Sequence, residues 1–264
     1  MFKNLYRSIA EYRELIYYFT WREFKVRYKQ TVIGVLWVIF QPLCFALIID
    51  LTLLRGHNFA VPGLQVPSLA PVYIGLLFWN YFEQTINNAS NSLIGNQGVI
   101  TKVYFPRFIP ALSAAIASLI DFLFASILLV ILLPILMDQY NIAGLLVLIP
   151  CVALLFVFAF GAGLWLATVN VKYRDLRYAL PFVMRILMFA SPVFYPITFL
   201  PEKYWWILYL NPVTTAAELS RHFILGLPLH KPHLMLLSLI STAAALLIGL
   251  WYFYAREREF VDIL

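Results

Sequence analysis

Asn80, Glu83, Gln84, Asn87 and Asn91 recur at spacings of three and four within an otherwise apolar stretch. On a helix that spacing gathers them into one polar stripe, with Trp79, Phe82, Ile86 and Leu93 on the other side. A carboxylate at mid-membrane depth costs roughly 2.5–3.5 kcal/mol, so Glu83 is expected to face a wet cavity or a cation. Trp37, Phe40, Gln41 and Cys44 occupy neighbouring helical positions further upstream, beside a kink expected at Pro42. Aromatic faces next to amides suit sugars, whose C–H faces lie on rings while their hydroxyls need polar partners. Trp37, Phe40 and Trp79 would offer the stacking faces, and Gln41, Glu83 and Asn87 the hydrogen bonds. Ordinary helix packing is the competing reading of the aromatics.

Two further charges stand in apolar surroundings, Asp121 and Arg185. A Glu83–Arg185 or Asp121–Arg185 pair could lock helices together, or the three could form a transport relay. Enzyme chemistry finds no support: GxxxxGK[ST], HExxH, CxxC and GxSxG are all absent, and no catalytic residue or metal site is assigned. Glu218 and His222 stand four apart and read as a solvated helical face. Ala159, Gly163 and Ala167 recur every four residues and read as a packing stripe. Cys44 and Cys151 each lie in an apolar run and read as small buried hydrophobes.

The elements that must position these groups follow from composition. Of 264 residues, 62% are apolar and 12% charged, far from the balance of a soluble domain. A mean hydropathy of +0.82 points to lipid as the solvent. This excludes disorder, a secreted disulfide scaffold and a cytosolic enzyme. Six stretches are long enough to span as helices: about 33–54, 69–90, 111–136, 144–169, 179–200 and 233–254. The expected fold is therefore an all-α membrane protein, with 31–264 as its transmembrane domain. No secretory signal is visible in the charged first thirty residues.

Basic residues set the orientation. With both termini cytoplasmic, the inner segments hold Lys3, Arg7, Arg13, Arg22, Lys25, Arg27, Lys29, Lys102, Arg107, Lys172, Arg174, Arg177, Arg256 and Arg258. The opposite side holds only Arg55, Lys203, Arg221 and Lys231. The net charge of +6 thus orients the chain in a membrane, and a nucleic-acid partner is not expected. Residues 1–30 carry Leu5, Ile9, Tyr12, Leu15 or Ile16, and Phe19 at helical spacing, which predicts an amphipathic interface helix. Docking of that helix on another protein is the alternative. Thr20-Trp-Arg-Glu23 fits a capping box and predicts a second helix starting there. Pro181, Pro192 and Pro196 interrupt the fifth stretch. The chain is expected to leave the bilayer near Pro196 and form short external helices through about residue 228, with Trp205, Trp206 and Tyr209 at the interface.

The stretches KVRYKQTVIGVLWVIFQPL (25–43), GLLFWNYF (75–82), ASNSLIGNQGVITKVYFPRFIP (89–110), NVKYRDLRYALPF (170–182), SPVFYP (191–196), LNPVT (210–214) and EREFVDIL (257–264) resemble the membrane subunit of polysaccharide-exporting ABC transporters. Those exporters move lipid-linked O-antigen, capsular polysaccharide or teichoic acid. The resemblance implies a homodimer of this chain joined to two ATP-binding subunits in a bacterial cytoplasmic membrane. ATP and Mg would be held by the partner, with no cofactor in this chain. It also implies that the loop 96–110, with Lys102, Tyr104, Phe105 and Arg107, contacts the ATPase. The second contact would be the short loop carrying Lys172, Arg174 and Asp175. The region 200–230 would form an external gate. Two other classes remain open on the residues alone. One is an ion-coupled secondary transporter using Glu83, Asp121 and Arg185, although no internal repeat supports it. The other is a membrane-embedded lipid-sugar transferase, for which no carboxylate pair or base is placed.

Overall fold

The computed structural model describes residues 2–29, 31, 34–52, 67–173 and 175–257. Arg55, Arg174, Arg258 and the rest of the ending lie outside the described residues, as do the side chains of Lys3 and Leu5. All regular structure among the described residues is helical. The order is α1 (Phe2–Glu11), α2 (Arg13–Tyr28), α3 (Leu36–Thr52), α4 (Leu69–Gly95), α5 (Gln97–Ile100) and α6 (Ile109–Leu136). Then follow α7 (Leu148–Lys172), α8 (Leu176–Ala190), α9 (Trp205–Leu208), α10 (Pro212–Leu225) and α11 (Met235–Arg256), with short 3₁₀ pieces between several of them.

Among the described residues three stretches are long and apolar enough to cross a membrane: Ile109–Leu136, Ile142–Lys172 and Pro232–Arg256. They cover the third, fourth and sixth predicted spans. Their outward faces are apolar, as a lipid-facing surface requires. The others differ for physical reasons. α4 has the length, at 27 residues, but its amides hold its hydropathy down. α3 has 17 residues and carries Pro42 in its interior. α8 has only 15 and stops at Ala190, short of the predicted 200. Ser191 precedes Pro192, and the proline ring pushes it out of the helical region to φ −101°, ψ 149°. The chain therefore leaves the helix before Pro196.

α4 is the central post, packed by α3, α6, α7, α8 and α10. From Leu69 to Trp79 it is buried on all sides, and Tyr73 donates its hydroxyl to the Ala125 carbonyl at 2.8 Å. Ser68 and Asp50, hydrogen-bonded to each other, tie the start of α4 to the end of α3. The small-residue stripe of α7 does what its spacing implies: Ala159 and Ala167 are fully buried, and Gly163 faces Ala89 of α4. Gly161 meets Gly249 of α11 so closely that a Cβ on Gly249 would overlap the Gly161 carbonyl.

The amino-terminal region departs from its prediction. α2 runs unbroken from Arg13, and the helix break falls at Tyr12, not at the Thr20–Glu23 capping box. Ile16 and Phe19 are buried against Phe105, Phe108 and Ile109, so helix on both sides of Thr20 keeps that face continuous. From Tyr12 to Phe19 the apolar stripe thus packs on the protein's own α6 and its preceding loop, while Ile9 is exposed. In the region 200–230, helices form as predicted, with α10 started by the Asn211 cap and Pro212 and stopped by Gly226 at φ 72°. Trp206 is exposed, but Trp205 and Tyr209 pack inward on Ile197, correcting their placement at an interface.

The α7–α11 crossing gives a direct test. Gly249→Leu should cost about 1–3 kcal/mol through overpacking, read as a lower thermal midpoint in detergent. Gly98→Ala, where nothing lies within 4 Å of the added carbon, should leave the midpoint nearly unmoved.

Candidate functional site

The polar stripe of α4 is the only partly open part of that helix before its last turn. Between Leu69 and Asn91, the residues that keep some exposure are Asn80, Glu83, Gln84, Asn87, Asn88 and Asn91. All but Asn91 border a cavity of about 450 Å³ whose other walls are Trp37, Val38, Gln41 and Pro42 of α3 and Tyr28 at the end of α2. The 3.6-residue period of α4 supplies the amides, while Pro42 and the α3–α4 packing bring up the second wall.

Most of the residues singled out as a substrate path meet here. Trp37, Gln41, Glu83 and Asn87 all line the cavity, and Trp37 is 47% exposed. Phe40 stays outside the lining, exposed, and meets Trp37 edge-on at 6.0 Å. Trp79 is a correction: it is fully buried (0%) against Phe82, so it has no face to offer. It acts instead through its ring nitrogen, which donates to Glu83 Oε2 at 3.0 Å and fixes that carboxylate. Arg185 is exposed on α8, outside the lining.

Asp121 also finds a different partner from either that was weighed. It is 2% exposed and is held by three donors. Arg27 forms a salt bridge to Oδ2, the Tyr28 hydroxyl donates to Oδ1 at 2.7 Å, and the Gln84 amide donates to Oδ2 at 2.8 Å. Two of these donors, Tyr28 and Gln84, are cavity walls. No hydrogen bond or salt bridge joins Glu83, Asp121 and Arg185 to one another among the described residues. The three-residue relay is therefore not assembled.

A second polar hub escaped sequence reading. Glu218 is buried, not solvated, and pairs with Arg221 at 3.1 Å. Arg221, 2% exposed, also donates to the carbonyls of Pro71 (3.1 Å), Pro192 (3.0 Å) and Val193 (2.5 Å). His222 is engaged by the Leu227 carbonyl at 2.6 Å. No group of three potential metal ligands occurs among the described residues. The only sequence signal for this hub was a Glu and an Arg three apart on a helix otherwise rich in small residues.

The loop between α4 and α6 encloses a hollow of about 300 Å³ lined by Ile100 to Phe105 and Arg107. Lys102 is exposed and Tyr104 stands 93% exposed at its rim. Phe105, predicted to face a partner, turns inward and packs on Phe19 at 5.6 Å. Arg107 is bonded to the Glu257 main-chain carbonyl, tying the loop to the end of α11. Burial raises the Glu257 carboxyl above the usual carboxylate range, opposed by its contacts with Arg107. Arg22 of α2 reaches the Asn96 side chain from the other side. In the second loop Lys172 and Asp175 are exposed, with Lys172 over the Tyr173 ring at 5.4 Å.

A helical bundle with apolar outer faces around an amide-lined cavity has the make-up of a membrane transport protein. The chain belongs to the ABC-2 type transporter family, which it matches over residues 14–225. Among curated relatives it is 28% identical to an O-antigen export system permease protein, RfbA, of Klebsiella pneumoniae, over 95% of each chain. It is 27% identical to a protein of the same name from Myxococcus xanthus, over 98% of each chain. It is also 24% identical to the polysialic acid transport protein KpsM of Escherichia coli, over 90% of this chain and 91% of that one.

The Asp121 cluster can be tested by stability. Asp121→Ala strands a partly buried guanidinium and should cost about 3 kcal/mol. Arg27→Met combined with Asp121→Ala should cost less than the two single changes added together, measured as a double-mutant cycle of thermal midpoints.

Proposed function

We propose that this chain is the transmembrane subunit of an ATP-driven exporter that moves a lipid-linked polysaccharide across the bacterial cytoplasmic membrane. The polysaccharide would be of the O-antigen, capsular or teichoic-acid kind. The observation that carries the reading is the end-to-end similarity of an ABC-2 family chain to relatives named for O-antigen export and polysialic acid transport. The chain is a permease subunit and not itself an enzyme, and ATP hydrolysis belongs to a separate subunit. The working assembly is two copies of this chain with two ATP-binding subunits, which hold the ATP and Mg. Six spans cross the membrane with both termini cytoplasmic, α2 lies along the cytoplasmic surface, and the region 200–230 gates the outer side. The excess of basic residues in the inner segments supports that orientation.

In this reading the α3–α4 cavity is part of the glycan path. Trp37 stacks on sugar faces, while Gln41, Glu83 and Asn87 bond to hydroxyls. Phe40 adds a ring at its edge, and Arg185 borders the path from α8. The loop 96–110 receives the push of the ATPase through Lys102 and the projecting Tyr104. Phe105 and Arg107 hold that loop to α2 and α11, and Lys172, Arg174 and Asp175 supply the second contact. ATP-driven closure of the ATPases would then rock the spans through these loops.

Two measurements test this. Glu83→Leu should insert normally yet lower export of surface polysaccharide several-fold in a permease-null strain; normal export would make the stripe structural. Lys102→Glu with Tyr104→Ala should weaken co-purification of the ATPase subunit, and an unchanged pull-down would remove these residues from the coupling surface.

A further inference from the structure

The α3–α4 cavity has a charge character that its amides conceal. Five lining residues are amides: Gln41, Asn80, Gln84, Asn87 and Asn88. Among the described residues the single charged one in the lining is an acid, Glu83, with no Lys or Arg beside it. Arg27, next to the wall residue Tyr28, is matched by Asp121 in a salt bridge. Arg185 of α8 is exposed, lies outside the lining and makes no salt bridge to Glu83, so its charge reaches that carboxylate only at longer range. The Trp79 ring nitrogen orients the Glu83 carboxylate without neutralising it.

We infer that this cavity selects uncharged, hydroxyl-rich sugar residues and disfavours anionic ones. Glu83 is the residue that sets the preference. The inference rests on the reading of the cavity as a glycan path and deepens it by naming the class of glycan. The physical reasons are direct. Amides donate and accept, as sugar hydroxyls do, and each unmatched polar group on either side costs affinity. Anionic sugars and phosphodiester-linked units instead need cationic donors such as Arg or Lys. A fixed carboxylate within a few ångströms of a second negative charge adds repulsion that the low-dielectric walls strengthen.

The test uses the full permease–ATPase complex in lipid nanodiscs. Its probes are neutral oligosaccharides of mannose, rhamnose and galactose type, set against oligosialic acid and glycerol-phosphate oligomers of matched length. Saturation-transfer NMR reads binding to the wild type and to the variants Trp37→Ala, Glu83→Gln, Glu83→Lys and Arg185→Gln. The neutral class should bind about tenfold more tightly than the anionic class. Glu83→Gln should shrink that ratio towards unity, and Glu83→Lys should invert it. Arg185→Gln removes a cation that borders the path, so it should keep the order of preference and widen the ratio, and Trp37→Ala should weaken the favoured probes. Equal or tighter binding of the anionic probes by the wild type would overturn the charge inference alone. So would a ratio indifferent to both Glu83 variants, or an anionic preference that vanishes with Arg185→Gln. If no probe bound and Trp37→Ala exported normally, the glycan-path reading itself would fall, and the inference with it.

Discussion

A carboxylate shut away from water must be met by donors, and the way Asp121 is met governs much of this structure. The residue sits in the interior of α6, in an otherwise apolar helix, where an isolated ionised group would be prohibitive. Its donors come from α2 and α4: Arg27 and Tyr28 on one side, Gln84 on the other. That arrangement pins the end of α2 against the bundle. It also sets Tyr28 and Gln84 in the cavity wall, so the stability of the fold and the shape of the site rest on the same carboxylate.

The opposite end of α4 is held by an analogous device with the charges reversed. Arg221 is a buried cation that spends its donors on the carbonyls of Pro71, Pro192 and Val193 and on the Glu218 carboxylate. The stretch Ser191–Pro196 has left helical geometry, and its carbonyls need partners from outside their own segment. Gly75 belongs to the same solution, because a side chain there would collide with the Val193 carbonyl. Irregular backbone beside a membrane helix is tolerable when it is buried in protein and satisfied in this way.

What could be read from sequence divides along the range of the interactions. Helical periodicity is local, so the stripe from Asn80 to Asn91 and its apolar opposite face were legible, as were the three strongly apolar spans and the small-residue contact of α7. Long-range partners were not. Asp121 lies 94 positions from Arg27, and Pro71 lies 150 from Arg221, with no pattern linking either pair. Trp79 has the composition of a stacking residue, yet the crowding of α6 and α7 around α4 leaves its rings no open side. The Thr20–Glu23 motif shows the converse failure. A real local start signal was overridden, because continuing the helix lets Ile16 and Phe19 share one packing surface with Phe105 and Phe108. Resemblance singled out residues 96–110, but not the division between the exposed Lys102 and Tyr104 and the inward-held Phe105 and Arg107, which depends on partners in α2 and at the end of α11.

That division follows one rigid element. α2 touches the loop through Phe19 on Phe105 and Arg22 on Asn96, and it touches the cavity through Tyr28. Phe19 and Tyr28 stand roughly 14 Å apart at 1.5 Å per residue, within a single uninterrupted helix. A helix held at both places by buried rings and charged hydrogen bonds cannot shift at one end while the other stays fixed. Displacement of the loop 96–110 must therefore either carry Tyr28 with it, altering the cavity wall, or break the Asp121 cluster that holds Tyr28 in place. Because breaking that cluster would strand a buried carboxylate, the concerted movement is the cheaper of the two. The loop also reaches α11 through Arg107, and so pulls on the bundle from its two flanks at once.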